Sequence, residues 1–140
     1  MDKALFTSEK TDWRTPPELF ARLYAIHHFT LDAAASDQNH LCEKYFTEEN
    51  SGLTNSWQGE TVFCNPPYGR TVGEWVRKAY IEYGSLKCKI VMLLPARTDT
   101  RWFHDYIYRC AKIEFIKGRL KFSGSKNSAP FPSMIVIFGG

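Results

Sequence analysis

Apolar positions recur along this chain of 140 residues at two alternating spacings. Between residues 16 and 27, Leu19, Phe20, Leu23 and Ile26 fall at helical spacing behind a Pro-Pro pair suited to a helix start. FTLDAAA (29–35) reads as a short buried strand ending in an acid and small residues. Residues 36–43 are expected to form a short helix capped by Ser36, and KYFT (44–47) a second strand before the polar loop EENSGL. TVFCNPPYG (61–69) is an apolar strand that must stop at its double proline, which cannot donate to a ladder. Over 73–84, Trp75, Val76, Ala79, Tyr80 and Tyr83 predict an amphipathic helix ended by Gly84. KIVMLLPA (89–96) is apolar throughout, as in a strand covered on both faces. A helix is expected over 100–111, capped by Thr98 or Thr100, then strands around Gly118 within 112–122. A loop over 123–133 and a last strand over 134–140 complete the pattern.

Strands alternating with helices of about a dozen residues predict an α/β fold with a mainly parallel sheet and flanking helices. The length suits one domain, residues 1–140, with a loose polar segment over 1–12. The apolar share is 44%, which argues against disorder. No apolar run approaches the roughly 20 residues of a membrane helix, and the N-terminus lacks a signal-like apolar stretch. A soluble cytoplasmic protein with no membrane partner is expected. The four cysteines form no C-x-x-C pair, and a disulfide framework has no secretory context, so they read as reduced thiols. His27, His28, His40 and His104 show no metal-ligand spacing, and no metal is expected.

Open parallel sheets bind ligands beyond the carboxyl ends of their strands. That rule selects Asp32 to Ser36 after the first strand and Asn65 to Tyr68 after the 62–64 strand. Asn65-Pro66-Pro67-Tyr68 is the most informative tetrapeptide. The prolines fix the backbone, so the Pro66 carbonyl can be aimed, while Asn65 offers a side-chain oxygen and Tyr68 a flat face. Two acceptors and a stacking platform suit a planar exocyclic amine, whose lone pair must be drawn out of conjugation before it can attack. No nucleophile elbow and no phosphate-cradling P-loop is present.

N-P-P-Y after a strand resembles the catalytic motif of S-adenosylmethionine-dependent amino-methyltransferases. WRTPPELF (13–20), FTLDAAAS (29–36), YFTEENSGL (45–53), VFCNPPYGR (62–70), LLPARTDTRWFH (93–104), GRLKF (118–122) and SAPFPS (128–133) together resemble the phage-type, Dam-like DNA adenine N6-methyltransferases. The resemblance spans about residues 12–139. It implies a Rossmann-like class I methyltransferase fold, S-adenosylmethionine as methyl donor, and DNA as substrate, either single-stranded or with the base flipped out. It places Asn65, Pro66, Pro67 and Tyr68 around the target adenine. It assigns Thr15, Pro16, Asp32, Ala33 and Ala34 to the cofactor, with Glu49 and Asn50 on its ribose. Phe131 would flank the base. Arg70, Arg97 and Arg101, after predicted strand ends, are candidates for phosphate contact.

Two departures stand out. Ala33, Ala34 and Ala35 replace the usual glycine-rich loop, and the catalytic motif opens with neutral Asn65 rather than aspartate. The motif alone leaves other planar amines open: cytosine N4, an RNA base or a protein glutamine. A non-catalytic nucleic-acid-binding module with a decayed cofactor loop is a rival of another class. No target-recognition domain is expected, so target choice falls to loops or to a homodimer partner. Charge divides at the motif: residues 1–65 hold 5 Lys/Arg against 10 Asp/Glu, and residues 66–140 hold 13 against 5. The basic part is expected to face DNA.

Overall fold

Five strands form one sheet in the order β1-β2-β3-β5-β4. The computed structural model describes residues 12–86 and 88–139. The segment expected to be loose therefore lies outside the described residues, apart from Asp12. Helix α1 (Pro17–His27) starts directly after Pro16, and its end is closed by His28 in a left-handed conformation, whose N–H donates to the Tyr24 carbonyl at 2.8 Å. Then come β1 (Leu31–Asp32), β2 (Thr61–Cys64), helix α2 (Val72–Leu86) and β3 (Lys89–Pro95). A short helical segment follows, then β4 (Lys112–Phe115) and β5 (Ser133–Phe138).

The sheet is mixed rather than mainly parallel. β1, β2 and β3 pair in parallel, but β5 runs antiparallel to both β3 and β4. Four strands thus share one direction, and β5 is inserted against them. The core is centred on β3 and β5, where Ile90 to Leu94 and Met134 to Val136 are fully enclosed, as the continuous apolar runs require. Phe20 of α1 meets Phe63 of β2 edge-on at 5.2 Å, and Leu23 buries beside them. α2 packs on β3 and β5.

Several expectations change. The helix predicted over 36–43 is absent. Ser36 and Asn39 close a tight turn with reciprocal backbone hydrogen bonds of 3.2 and 3.1 Å, and the Asp32 carboxylate takes the Leu41 N–H, a donor that a helix would need. The 44–47 strand reduces to one parallel bridge between Asp32 and Tyr45, because β1 offers only two residues to pair with. α2 runs through Gly84 to Leu86, because Gly84 keeps a negative φ and a glycine inside a helix weakens the turn without ending it. The helix expected over 100–111 is cut short. Phe103–Ile107 widen into a π turn, with the Tyr108 N–H reaching the Phe103 carbonyl at 2.8 Å, and Arg109 then turns left-handed at φ 67°. Thr100 caps this segment, its Oγ1 accepting from the Phe103 N–H at 3.3 Å. Residues 119–122 form no strand. Gly118, at φ 77°, turns the chain away from the sheet edge.

Candidate active site

β1, β2 and β3 run in parallel, so Asp32, Asn65 and Arg97 all emerge at one edge of the sheet. A cavity of about 370 Å³ opens there, lined in part by Thr15, Asp32, Ala34, Glu48, Asn65 and Pro66. That volume lies in the range of small-molecule sites.

Asn65 sits where β2 must stop. Its Nδ2 donates to the Trp13 carbonyl at 2.6 Å and to Thr15 Oγ1 at 3.0 Å. Its Oδ1 is buried and has no hydrogen-bond partner among the described residues, a state that costs free energy unless a donor arrives. Pro66 is buried and Pro67 exposed, and both line the cavity. Tyr68 does not line it. Its ring is buried edge-on to Phe122 and Phe131 at 6.2 and 5.6 Å, and its hydroxyl donates to the Leu93 carbonyl at 3.0 Å. Burial holds this phenol well above its ordinary pKa.

Asp32 is only 3% exposed. Its carboxylate accepts from the Leu41 N–H at 2.9 Å and the Ala34 N–H at 3.4 Å. Burial raises its pKa, while those two N–H groups and His40 act in the opposite direction. Ala34 lines the cavity, whereas Ala33 is enclosed behind it. No glycine is needed in this turn, because neither Ala33, Ala34 nor Ala35 has positive φ. The close approach falls instead on Gly52. A Cβ there would lie 2.3 Å from the Ala33 carbonyl oxygen and 3.0 Å from the Trp75 ring.

Thr15 is 8% exposed and lines the cavity; Pro16 does not. Of the neighbouring acids, Glu48 lines the cavity, whereas Glu49 is exposed outside it. Asn50 is also exposed and accepts from Asn55 Nδ2 at 3.0 Å. Adjacent acids in a loop look alike in sequence, and only the local bend decides which one faces the cavity. Phe131 is half-buried, edge-on to Trp13 at 5.1 Å. Arg70, Arg97 and Arg101 are exposed.

Trp13 was not singled out by sequence, although it stands two residues before Thr15. Trp75 and Leu41 were also missed as lining residues. The β4–β5 loop is a further omission. Exposed Lys117, Arg119, Lys121 and Lys126 lie on it, and it is tied to the site by the Ser123 N–H donating to the Arg14 carbonyl at 2.9 Å.

The family described as DNA N-6-adenine-methyltransferase (Dam) matches residues 3–139. The chain belongs to that family. Among its curated relatives, the DNA N-6-adenine-methyltransferase of Escherichia phage T1 is 39% identical over 110 residues, covering 77% of this chain and 45% of that protein. The DNA N-6-adenine-methyltransferase of Haemophilus phage HP1 (strain HP1c1) is 30% identical over 139 residues, covering 94% and 80% respectively. The chain therefore spans less than half the length of the phage T1 relative. Within this Dam family chain, Asn65, Pro66, Pro67, Asp32 and Thr15 converge on one cavity, while Tyr68 and Phe131 form an aromatic cluster beside it.

Proposed function

We propose that this chain transfers a methyl group from S-adenosylmethionine to the N6 amine of adenine in DNA. The observation that carries the reading is the buried, unpartnered Oδ1 of Asn65 beside a cavity of suitable size. Family membership supplies the substrate class. The sheet order, extended beyond β1 by the Tyr45 bridge, supports a shortened Rossmann-like class I fold.

The cavity fits a cationic donor. Asp12, Asp32 and Glu48 face it, against Arg14 alone among the described cations. Asp32, Thr15 and the backbone at Ala34 would hold the donor, with Glu48 on its ribose in the role that the resemblance assigns to Glu49 and Asn50. S-adenosylmethionine supplies an electrophilic methyl group when bound. Asn65 Oδ1 and the Pro66 carbonyl accept the two amine hydrogens and draw the nitrogen lone pair out of the ring. The N6 lone pair would then form a bond to the methyl carbon as the carbon–sulfur bond breaks and its electrons return to the donor's sulfur, which leaves as a neutral thioether, with no covalent enzyme intermediate. Asn65 is not a base, so the departing proton goes to water. Duplex DNA hides N6 in the stack, so the base must be flipped out or presented on a single strand. Arg70, Arg97 and Arg101 would hold phosphates on either side. For Tyr68 and Phe131 to touch the base, the aromatic cluster must open toward it.

The test is incubation with tritiated S-adenosylmethionine and DNA, RNA or protein, followed by nucleoside analysis. Label in N6-methyladenine is expected, and label confined to other acceptors would overturn the reading. Asn65→Ala is expected to abolish transfer while calorimetric binding of the donor persists, because the residue serves the amine. A wild-type chain that binds no donor would favour the non-catalytic module.

A further inference from the structure

The geometry points to an amide lock: the Trp13 carbonyl and the Thr15 hydroxyl hold Asn65 in one orientation, so that this site works with an amide and not with a carboxylate. This inference rests on Asn65 being the acceptor for the substrate amine. An asparagine amide has two hydrogens on Nδ2. Here both are taken, one by the Trp13 carbonyl at 2.6 Å and one by Thr15 Oγ1 at 3.0 Å. A flipped amide would set oxygen against the Trp13 carbonyl oxygen at that distance, acceptor against acceptor. The orientation is therefore unique, and Oδ1 is the one atom of the amide left to receive a donor.

The lock is itself well anchored. Trp13 packs edge-on to Phe122 and Phe131 at 5.4 and 5.1 Å. Arg14 pairs with Ser123 across an antiparallel bridge. Thr15 is buried two residues before α1 begins. The strap 13–15 thus cannot readily retreat to accommodate a different side chain. Thr15 is accordingly a positioning residue: it acts on the substrate amine through Asn65.

A carboxylate at position 65 fails for a stated reason. One of its oxygens must face the Trp13 carbonyl with no proton between them. Protonation repairs this, because the acid O–H can donate to Trp13 while the other oxygen still accepts. The charged and titratable groups around the same cavity favour the protonated form. Asp32 lies at the end of β1, Asp12 on the strap and Glu48 on the loop before β2, against Arg14 as the single cation among the described residues. Cys64 and Tyr68, on β2 and its following turn, are buried and stay neutral.

The experiment compares the wild type, Asn65→Asp, Thr15→Ser and Thr15→Val from pH 5.5 to 8.0. Formation of N6-methyladenine is measured alongside thermal melting and calorimetric donor affinity. The ratio of Asn65→Asp to wild-type rate is expected to rise at least fivefold as the pH falls across that range. A flat ratio, at any level, would overturn the lock, and so would a falling one. Thr15→Ser should retain activity within about twofold, and Thr15→Val should lower kcat at saturating donor by about fivefold, as for the removal of one hydrogen bond. Equal activity of Ser and Val variants would contradict the role of Thr15. Side-chain ¹⁵N NMR separates this inference from the functional reading. If the wild type makes no N6-methyladenine, the reading fails. The lock survives only if the Asn65 amide protons still exchange slowly with water, and fast exchange overturns it.

Discussion

Asp32 occupies an environment that penalises its charge, and that penalty has a measurable sign. Burial sets its folded pKa above the ordinary 3.8, against the pull of two backbone N–H groups and His40. The folded chain therefore holds this proton more tightly than the unfolded chain does. The contribution to stability is greatest below pH 3.8 and is lost as the pH rises through the folded value. Asp32→Asn carries no charge, although it sets an amide N–H against a backbone donor. Urea unfolding at several values between pH 3.5 and 7 should show the variant gaining on the wild type as pH rises, whatever its absolute stability. A pH-independent difference would show that Asp32 titrates alike in both states. The importance of Asp32 was readable from its place at a strand end before small residues. Its partner Leu41 was not, because Leu41 comes from a segment whose sequence predicts a helix.

The loop between β1 and β2 supplies one wall of the cavity, and two hydrogen bonds from Trp57 clamp it. The Trp57 indole N–H donates to the Gly52 carbonyl at 3.0 Å. The Trp57 backbone N–H donates to Glu82 of α2 at 2.6 Å, and Lys78 pairs with the same carboxylate at 3.0 Å. Gly52 itself presses against the Ala33 carbonyl, where no side chain has room. Gly52→Ala must push that backbone or the Trp75 ring aside. A destabilisation of about 1–3 kcal/mol is expected, as for other overpacked interiors, together with weaker donor binding. Chemical denaturation and calorimetry check both, and an unchanged donor affinity would separate this loop from the cofactor wall. Helices α1 and α2 were legible because their apolar spacing repeats over several turns. The 47–57 loop was legible as a loop from its polar residues, but its path was not, because that comes from α2 and from the end of β1, far away in sequence.

The order of the strands decides where charge collects. β4 shares the direction of β3, so its carboxyl end, and the loop from Ile116 onward, emerge at the edge that holds Asn65. Lys117, Arg119, Lys121 and Lys126 on that loop are exposed, as are Arg70, Arg97 and Arg101 at the same edge. Elsewhere, Arg22, Lys44 and Lys78 are paired with Glu114, Glu60 and Glu82. If this edge meets DNA, each cation removed from a phosphate should reduce the salt dependence of binding by about 0.9 in slope. Arg97→Ala with Arg101→Ala, and separately Arg119→Ala with Lys121→Ala, should each lower the slope of log affinity against log salt by about 2. Binding measured across a salt series tests this, and an unchanged slope would remove the pair concerned from the interface.

Local chemistry was enough to predict the stop after β2, the start of α1, the buried β3 and the place of the N-P-P-Y turn beyond a strand's carboxyl end. Each depends on residues adjacent in the chain: prolines that end a ladder, or apolar side chains at a fixed spacing. The antiparallel insertion of β5, the choice of Glu48 over Glu49, the enclosure of Tyr68 and the pinning of Asn65 depend on partners tens of residues away. Trp13 and Asn65 are 52 residues apart, yet one hydrogen bond between them sets which atom of the amide is left to act. No periodicity encodes such a pairing, because it exists only once α1 and β2 have packed and brought the strap over the turn.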